Sequence, residues 1–322
     1  MDLLNADEVK TLLKDSDHCL IGVSGGLDSM TLLTWIAQNK NRFRLLFTVM
    51  YVNHGIHQDS NKWSDTVQSY CKELDMPFVS CSVSLEGLGN NIEYAARRAR
   101  YKAFCDYPGV DTIMIAHHIN DQCENFMLKL FRGSGVKGLA SMPKTGPCWY
   151  DENIALVRPM LSITRIQIEE WAEENQVKNI VDPSNQDNKY DRNYIRNVIW
   201  PVIQERFDIA DINTVRSISH LSEAWELVTE LADIDIEHVS REPNVLDWEK
   251  IQKLSYVRIK NLILRILGKE NIYSFSVNHV EQFSQGLIDA TMDSRNELSL
   301  KGFLIRKIGK KIHITLNPIK SP

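Results

Sequence analysis

Cysteine is scarce: six residues in 322 (Cys19, Cys71, Cys81, Cys105, Cys123 and Cys148), with no C-x-x-C pair among them. Spread so thinly they encode neither a disulfide scaffold nor a zinc ribbon, and they read as buried free thiols. Long apolar runs are also missing. The longest, Leu45 to Val52, falls well short of the roughly 20 residues a membrane helix needs. The amino-terminal MDLLNADEVK is acidic and polar where a signal peptide would be basic and then apolar, so no membrane association and a cytoplasmic location are expected. Two phosphate-binding fingerprints are absent as well, the Walker pattern G-x-x-x-x-G-K and the dinucleotide pattern G-x-G-x-x-G. Their absence argues against an ordinary P-loop NTPase and a Rossmann oxidoreductase. There is no internal repeat and no low-complexity tract.

What is present is the composition of a folded protein, 43% hydrophobic and 25% charged, which excludes disorder throughout. The formal charge of -5 is unevenly distributed. Residues 222 to 250 hold nine acids against Arg241 and Lys250, whereas residues 298 to 322 carry Lys301, Arg306, Lys307, Lys310, Lys311 and Lys320 and no acid. That tail suits a phosphate backbone; the plainer alternative is a solvated strand pair.

Over the first two hundred residues short apolar runs alternate with helical patterns, which predicts stacked βα units around a parallel sheet. Strands are expected at 18–24, 45–52, 77–83, 110–118 and 155–160, with helices from Met30 onward and over 61–75, 91–106, 121–132 and 163–175. An acidic helical connector follows, and then a small α+β unit with helices over 247–268 and 276–289 and a closing strand pair that turns at Gly309. The expected division is a catalytic domain over 1–205, a connector over 206–245 and a small domain over 246–322.

The strongest chemical signal is Ser24-Gly25-Gly26-Leu27-Asp28-Ser29, where the first strand hands over to a helix. Glycines let successive N–H groups converge on an anion at a helix N-terminus, and without a Walker lysine the nest suits pyrophosphate. Asp28 would repel a phosphate unless a divalent cation bridged them, which suggests Mg²⁺. In AHHINDQCEN, His117 and His118 fall at the carboxyl end of the fourth strand, and Asn120 is placed to cap the next helix. Asp121 and Glu124 then share one face of its first turn, where they could hold Mg²⁺ or an ammonium group, or merely favour the helix dipole. Arg97 and Arg100 lie on one face of the Arg-rich helix. Arg192 and Arg196 follow a D-P-S-N turn, and their forks suit a transferring adenylate.

The loop SGGLDS after a first strand resembles the pyrophosphate loop of the PP-loop, or N-type, ATP pyrophosphatases. Five further stretches are similar to the tRNA(Ile)-lysidine synthetases: YVNHGI (51–56), EYAARRARY (93–101), AHHINDQCEN with LFRGSGVKGLASM (116–142), RPML (158–161) and DPSNQDNKYDRNYIR (182–196). The resemblance implies an α/β fold, a Rossmann-like parallel sheet flanked by helices followed by a helical connector and a small α+β domain. It implies a shorter form, expected to be without the further terminal domain of the longer members. It also implies a ligase that adenylates the wobble cytidine of tRNA(Ile) with a CAU anticodon and then joins L-lysine to C2, using ATP and Mg²⁺ and releasing AMP and pyrophosphate. Carried over residue by residue, Ser24, Gly25, Gly26, Leu27, Asp28, Ser29, His54, Arg97, His117 and His118 would bind ATP. Asp28, Asp121, Glu124 and Arg192 would serve catalysis, with Asp28 and Asp121 on the metal. Arg100, Arg132, Arg196, Lys307, Lys310 and Lys311 would meet the tRNA. A tRNA 2-thiolation enzyme, a small-molecule amidating relative and a catalytically silent RNA-binding module stay open as alternatives, as does a homodimer.

Overall fold

Parallel strands buried on both faces read as continuous apolar runs, and the first two strands of the chain do so. In the computed structural model, which describes residues 2–55, 60–83, 92–182, 187–272, 275–300 and 302–316, a short helix α1 (Ala6–Leu12) precedes β1 (His18–Val23). There follow α2 (Leu27–Asn39), β2 (Leu46–Asn53), α3 (Ser60–Glu73), β3 (Phe78–Ser82), α4 (Ile92–Cys105), β4 (Thr112–Met114), α5 (Ile119–Phe131) and α6 (Val136–Leu139). Next are β5 (Thr145–Pro147), β6 (Ala155–Val157) and α7 (Arg165–Glu174). Then α8 (Asp191–Tyr194) passes through a π turn (Ile195–Ile199) into α9 (Trp200–Arg206). The 30-residue α10 (Ala210–Val239) runs across the boundary between two compact units, residues 1–221 and 222–322.

The first unit holds a six-stranded sheet in the order β3-β2-β1-β4-β6-β5, parallel except for β5. Alternate residues of β1 and β2 feed two separate cores, as a period of two requires. Cys19, Ile21, Val49 and Tyr51 join Leu32, Trp35, Ile36 and Trp171 in one, and Leu20, Met50 and Val52 join Tyr101, Phe104 and Leu156 in the other. The chain lays β1, β2 and β3 outward in one direction, then returns to place β4 against the free edge of β1. That reversal opens a crevice at the carboxyl ends of β1 and β4. The fourth and fifth strands are shorter than the sequence predicts, and the edge strand β5 was not predicted. Pro147 lacks a donor and is tolerated because an edge strand leaves one side unpaired.

In the second unit five antiparallel strands run in the order β7 (Ser240–Glu242), β8 (Val245–Asp247), β11 (Lys311–Leu316), β10 (Phe303–Ile308), β9 (Glu297–Leu300). The single helix expected over 247–268 is two, α11 (Trp248–Ile251) and α12 (Tyr256–Lys269), because Asp247 and Ser255 each cap a new N-terminus. With α13 (Val277–Asp289), α12 supplies Leu262, Ile263, Val280 and Phe283 to a core shared with Phe303 and Ile305. The closing hairpin turns at Gly309 with φ +58°, in the left-handed region that favours glycine. Among the described residues no helix is long and apolar enough to cross a membrane.

The basic tail departs from expectation. Lys307 is fully buried; its Nζ donates to the carbonyls of Thr291 (2.8 Å), Ser294 (3.1 Å) and Met292 (3.2 Å) and lies 4.1 Å from the Trp248 ring centroid. Its assignment to tRNA is therefore corrected: it is an internal tie that satisfies three backbone acceptors. Lys310 pairs with Glu249 at 2.7 Å, Lys311 with Glu242 at 3.0 Å and Arg306 with Glu297 at 2.7 Å. Lys301 and Lys320 lie outside the described residues.

Changing Lys307 to Met keeps the bulk and removes the donor, and should cost about 1–3 kcal/mol of stability, the range for stranding buried polar partners. Changing Lys310 and Lys311 together to Ala should cost under about 1 kcal/mol for each exposed pair. Urea midpoints of the two variants check this; equal midpoints would remove the structural role given to Lys307.

Candidate active site

The loop between β1 and α2 is shaped by two glycines with different reasons to be there. Gly25 has φ +85°, and a Cβ on it would stand 2.8 Å from Ile180 Cδ1, whose own N–H donates to the Gly25 carbonyl at 2.8 Å. No side chain fits. Gly26 is the N-cap of α2, without a side-chain cap, and a Cβ on it would meet nothing nearer than Ser24 Oγ at 3.5 Å. Ser24 Oγ alone borders that position, and the first turn of α2 has no side-chain cap, the arrangement that suits an anion. The loop braces itself: Ser29 Oγ donates to the Gly26 carbonyl at 2.9 Å, and the Gly26 N–H donates to Ser24 Oγ at 3.3 Å. Leu27 and Asp28 begin the helix.

Asp28 accepts from Arg165 Nη1 at 2.6 Å through Oδ1, while its Oδ2 stands 3.7 Å from His118 Nε2. Burial pushes the Asp28 carboxyl above its ordinary pKa, against the pull of His118 and Arg165. Arg165 opens α7 and was not singled out in the sequence, because nothing local marks a partner 137 residues away.

His117 and His118 follow β4, as expected, but they differ. His117 Nδ1 is buried without a hydrogen-bond partner, and burial, reinforced by Arg192, Arg158 and Arg97, pulls its pKa down to about 3. It is a neutral ring at working pH. His118 caps α5, taking the place expected of Asn120: its Nδ1 accepts from the Asn120 N–H at 3.3 Å, and the Asp121 carboxylate accepts from the His118 N–H at 2.9 Å.

Asp121 and Glu124 share a face of α5, and both are buried, at 6% and 1% exposure. They do not stand free. Arg192 donates to Asp121 Oδ1 (2.5 Å) and Glu124 Oε2 (2.7 Å). Arg196 donates to Glu124 Oε1 (2.5 Å) and Oε2 (2.9 Å) and to Asp121 Oδ1 (3.3 Å). Two expectations change. Arg196, assigned to tRNA, is committed to the two carboxylates, and Glu124 has both oxygens engaged, so an ammonium could take its place there only by displacing an arginine. The π turn after α8 carries Arg196 onto the face that presents Arg192. The D-P-S-N turn before them lies at residues 182–185, of which 183–185 are outside the described residues.

The remaining assignments scatter around this centre. His54 Nδ1 is buried without a partner, and burial with Arg100 lowers its pKa to about 4, so Arg100 acts on the loop after β2. Arg97 sits over the Tyr101 ring, 5.1 Å from its centroid. Arg132, at the C-cap of α5, pairs with Asp191 at 3.0 Å on the surface.

Burial opposes ionisation of Asp121, but Arg192, His118 and His117 outweigh it and hold the carboxyl down at about 2. A carboxyl whose folded pKa is depressed lends stability that is complete above its unfolded pKa near 4 and is lost as pH falls toward the folded value. Acid unfolding followed by circular dichroism should show wild type losing stability between about pH 4 and pH 2. Asp121→Asn should lower stability at pH 7 and flatten that loss; an unchanged acid limb would deny Asp121 its ion pair.

A family model for the PP-loop domain matches residues 2–203. The tRNA(Ile)-lysidine synthase of Haemophilus ducreyi is 32% identical over 300 residues, covering 92% of this chain and 68% of that protein. The one from Proteus mirabilis is 32% identical over 320 residues, covering 98% and 72%, and that of Pseudomonas fluorescens 36% identical over 249, covering 77% and 55%. Among solved structures, a U34-tRNA thiolase of Methanococcus maripaludis superposes with a TM-score of 0.54 at 17% identity, covering 67% of this chain and 79% of that one, a likeness of fold. Identity of about a third, sustained over more than nine-tenths of the chain on a PP-loop domain, makes this chain a member of the tRNA(Ile)-lysidine synthase family.

Proposed function

We infer that the chain joins free L-lysine to C2 of the wobble cytidine in a tRNA(Ile) with a CAU anticodon, at the expense of ATP. The cytidine oxygen attacks the α-phosphorus and pyrophosphate leaves; the lysine amine then attacks C2, the C–O bond breaks, AMP departs and the nitrogen loses a proton. The observation that carries this reading is the open glycine nest at the uncapped start of α2, beside the crevice where strand order reverses. A nest with no lysine receives a pyrophosphate through N–H groups and the helix dipole.

The residues fit Mg²⁺. Asp28 and Asp121 flank His118 Nε2 at 3.7 and 3.6 Å, and Asp28 is a half-buried carboxylate whose pKa is raised, a charge that a cation would relieve. Among the described residues no third His, Cys, Asp or Glu completes a metal cage, and Mg²⁺ commonly binds one or two carboxylates with phosphates and water supplying the rest. When bound, it would neutralise charge on the leaving pyrophosphate. Arg192, held by Asp121 and Glu124, presents a fixed fork to the adenylate, so that little reorganisation is needed as charge develops. Asp121 and Glu124 act largely by orienting it. Arg100, Arg132, Lys310 and Lys311 remain as tRNA contacts, and a tRNA substrate places the enzyme in the cytoplasm.

Thiol chemistry is not favoured. Cys105 and Cys148 lie 3.7 Å apart, and burial together with Cys148 pushes Cys105 up to about 12, far from the thiolate such a reaction uses.

With α-labelled ATP, tRNA(Ile) transcript and L-lysine, the label should leave as AMP only when both RNA and amino acid are present, whereas with RNA alone it should stay on the RNA as the adenylated cytidine. Nucleoside mass spectrometry should find lysidine. Release of ADP, or of AMP without lysine, would refute the ligase reading.

A further inference from the structure

Arg158 directly follows β6 and is only 7% exposed. Its Nη1 donates to the Pro143 carbonyl at 2.9 Å, and its Nε is buried with no hydrogen-bond partner. No carboxylate pairs with it among the described residues; its charged neighbourhood is Arg97, with the Tyr101 phenol and the Cys148 thiol. Buried arginines are normally paired, because an uncompensated charge out of water is costly. Arg158 also has cationic company. Arg97 lies on Tyr101, and Lys129, partly buried on α5, is pushed below its usual pKa by burial and by Arg97. Neither has an acidic partner among the described residues. The contrast is with Arg192 and Arg196, whose guanidinium groups are committed to the acids of α5.

We propose that Arg158, supported by Arg97 and Lys129, receives the α-carboxylate of the free amino-acid substrate and so makes the enzyme select an amino acid over a simple amine. The inference rests on the ligase reading above. A guanidinium this enclosed admits a small ligand ending in its anion, and its planar fork matches a carboxylate; an RNA phosphodiester, flanked by chain on both sides, does not reach so far in. The ATP phosphates belong to the nest after β1. Since β4 lies between β1 and β6 and strands are spaced about 4.8 Å apart, the Arg158 edge is roughly 10 Å from the nest. An extended lysine anchored there would direct its ε-amine toward the end of β4, where the reaction centre lies. His117, neutral and with an unpartnered Nδ1, lines the way.

The test compares L-lysine with 1,5-diaminopentane, which is lysine without its carboxylate. Wild type should prefer lysine strongly. Arg158→Ala should raise the KM for lysine and cut kcat/KM for lysine by about 10- to 100-fold, the effect of losing a charged hydrogen-bond partner, while diaminopentane loses little, so the preference collapses. Arg158→Lys, which keeps the charge and loses the fork, should fall between, and it decides the matter if the alanine variant does not fold. An unchanged preference in a folded variant overturns the proposal, as does a wild type that uses both amines equally well. So does an unchanged preference accompanied by a shallower salt dependence of tRNA binding, by a little under about one unit of slope, which would reassign Arg158 to a phosphodiester. AMP release by wild type that needs no lysine would instead bring down the ligase reading itself.

Discussion

Two carboxylates on successive turns at the start of α5 cannot stay ionised in the interior without counter-charge, and the site is arranged around meeting that demand. Withdrawing a carboxylate from water costs several kcal/mol, and removing one partner of a buried pair costs about 3–5 kcal/mol. Glu124 has a side chain only 2% exposed, so Arg192 and Arg196 are structurally required as well as chemically suited. They arrive from a segment about 70 residues later in the chain, and the π turn between α8 and α9 is part of their delivery. The network ties that segment to α5 and leaves two guanidinium forks fixed at the carboxyl edge of the sheet. Catalytic preorganisation and local folding share the same bonds.

That placement has meaning because of where the sheet reverses. β1 pairs with β2 on one side and β4 on the other, so the glycine nest after β1 and the histidine pair after β4 face a common crevice. Asp28 and Asp121, one from each side, both look toward His118. His118 in turn caps α5 and holds Asp121 through its backbone N–H. A single histidine therefore couples the pyrophosphate side to the arginine network. His117, one residue earlier, is left neutral between that network and the unpaired arginines.

Features carried by local pattern were legible in the sequence. The SGGLDS loop, the order of strands and helices in the first unit and the hairpin turn at Gly309 all depend on neighbours within a few residues, and the chain folds accordingly. Features that depend on distant partners were not. Nothing near Arg165 announces Asp28, and nothing near Arg196 announces Glu124. Lys307 sits in a run of basic residues that looks solvent-facing, yet its strand position points it into the core beneath Trp248. The capping of α5 by His118 defeated the usual preference for asparagine because the Asp121 carboxylate, fixed by Arg192, completes the capping box from the other side. The edge strand β5 is too short, and too rich in glycine and proline, for periodicity to register.

Counting charges along the chain therefore overstates the field of the tail. The hairpin that concentrates positive charge in the sequence is largely neutralised at close range by Glu242, Glu249 and Glu297, and Lys307 spends its charge on backbone carbonyls. Opposite charges paired this closely cancel at a distance, and salt screens what remains beyond about 8 Å, so this hairpin exerts little long-range pull on a polyanion. Arg158 is the reverse case: a single charge at the head of the RPML stretch, nearly removed from water and left with one carbonyl. An exposed lysine with a glutamate beside it is already satisfied, whereas a buried arginine without an acid is incomplete. Among the cations of the described residues, it is this isolated, buried one and not the basic tail that calls for a ligand.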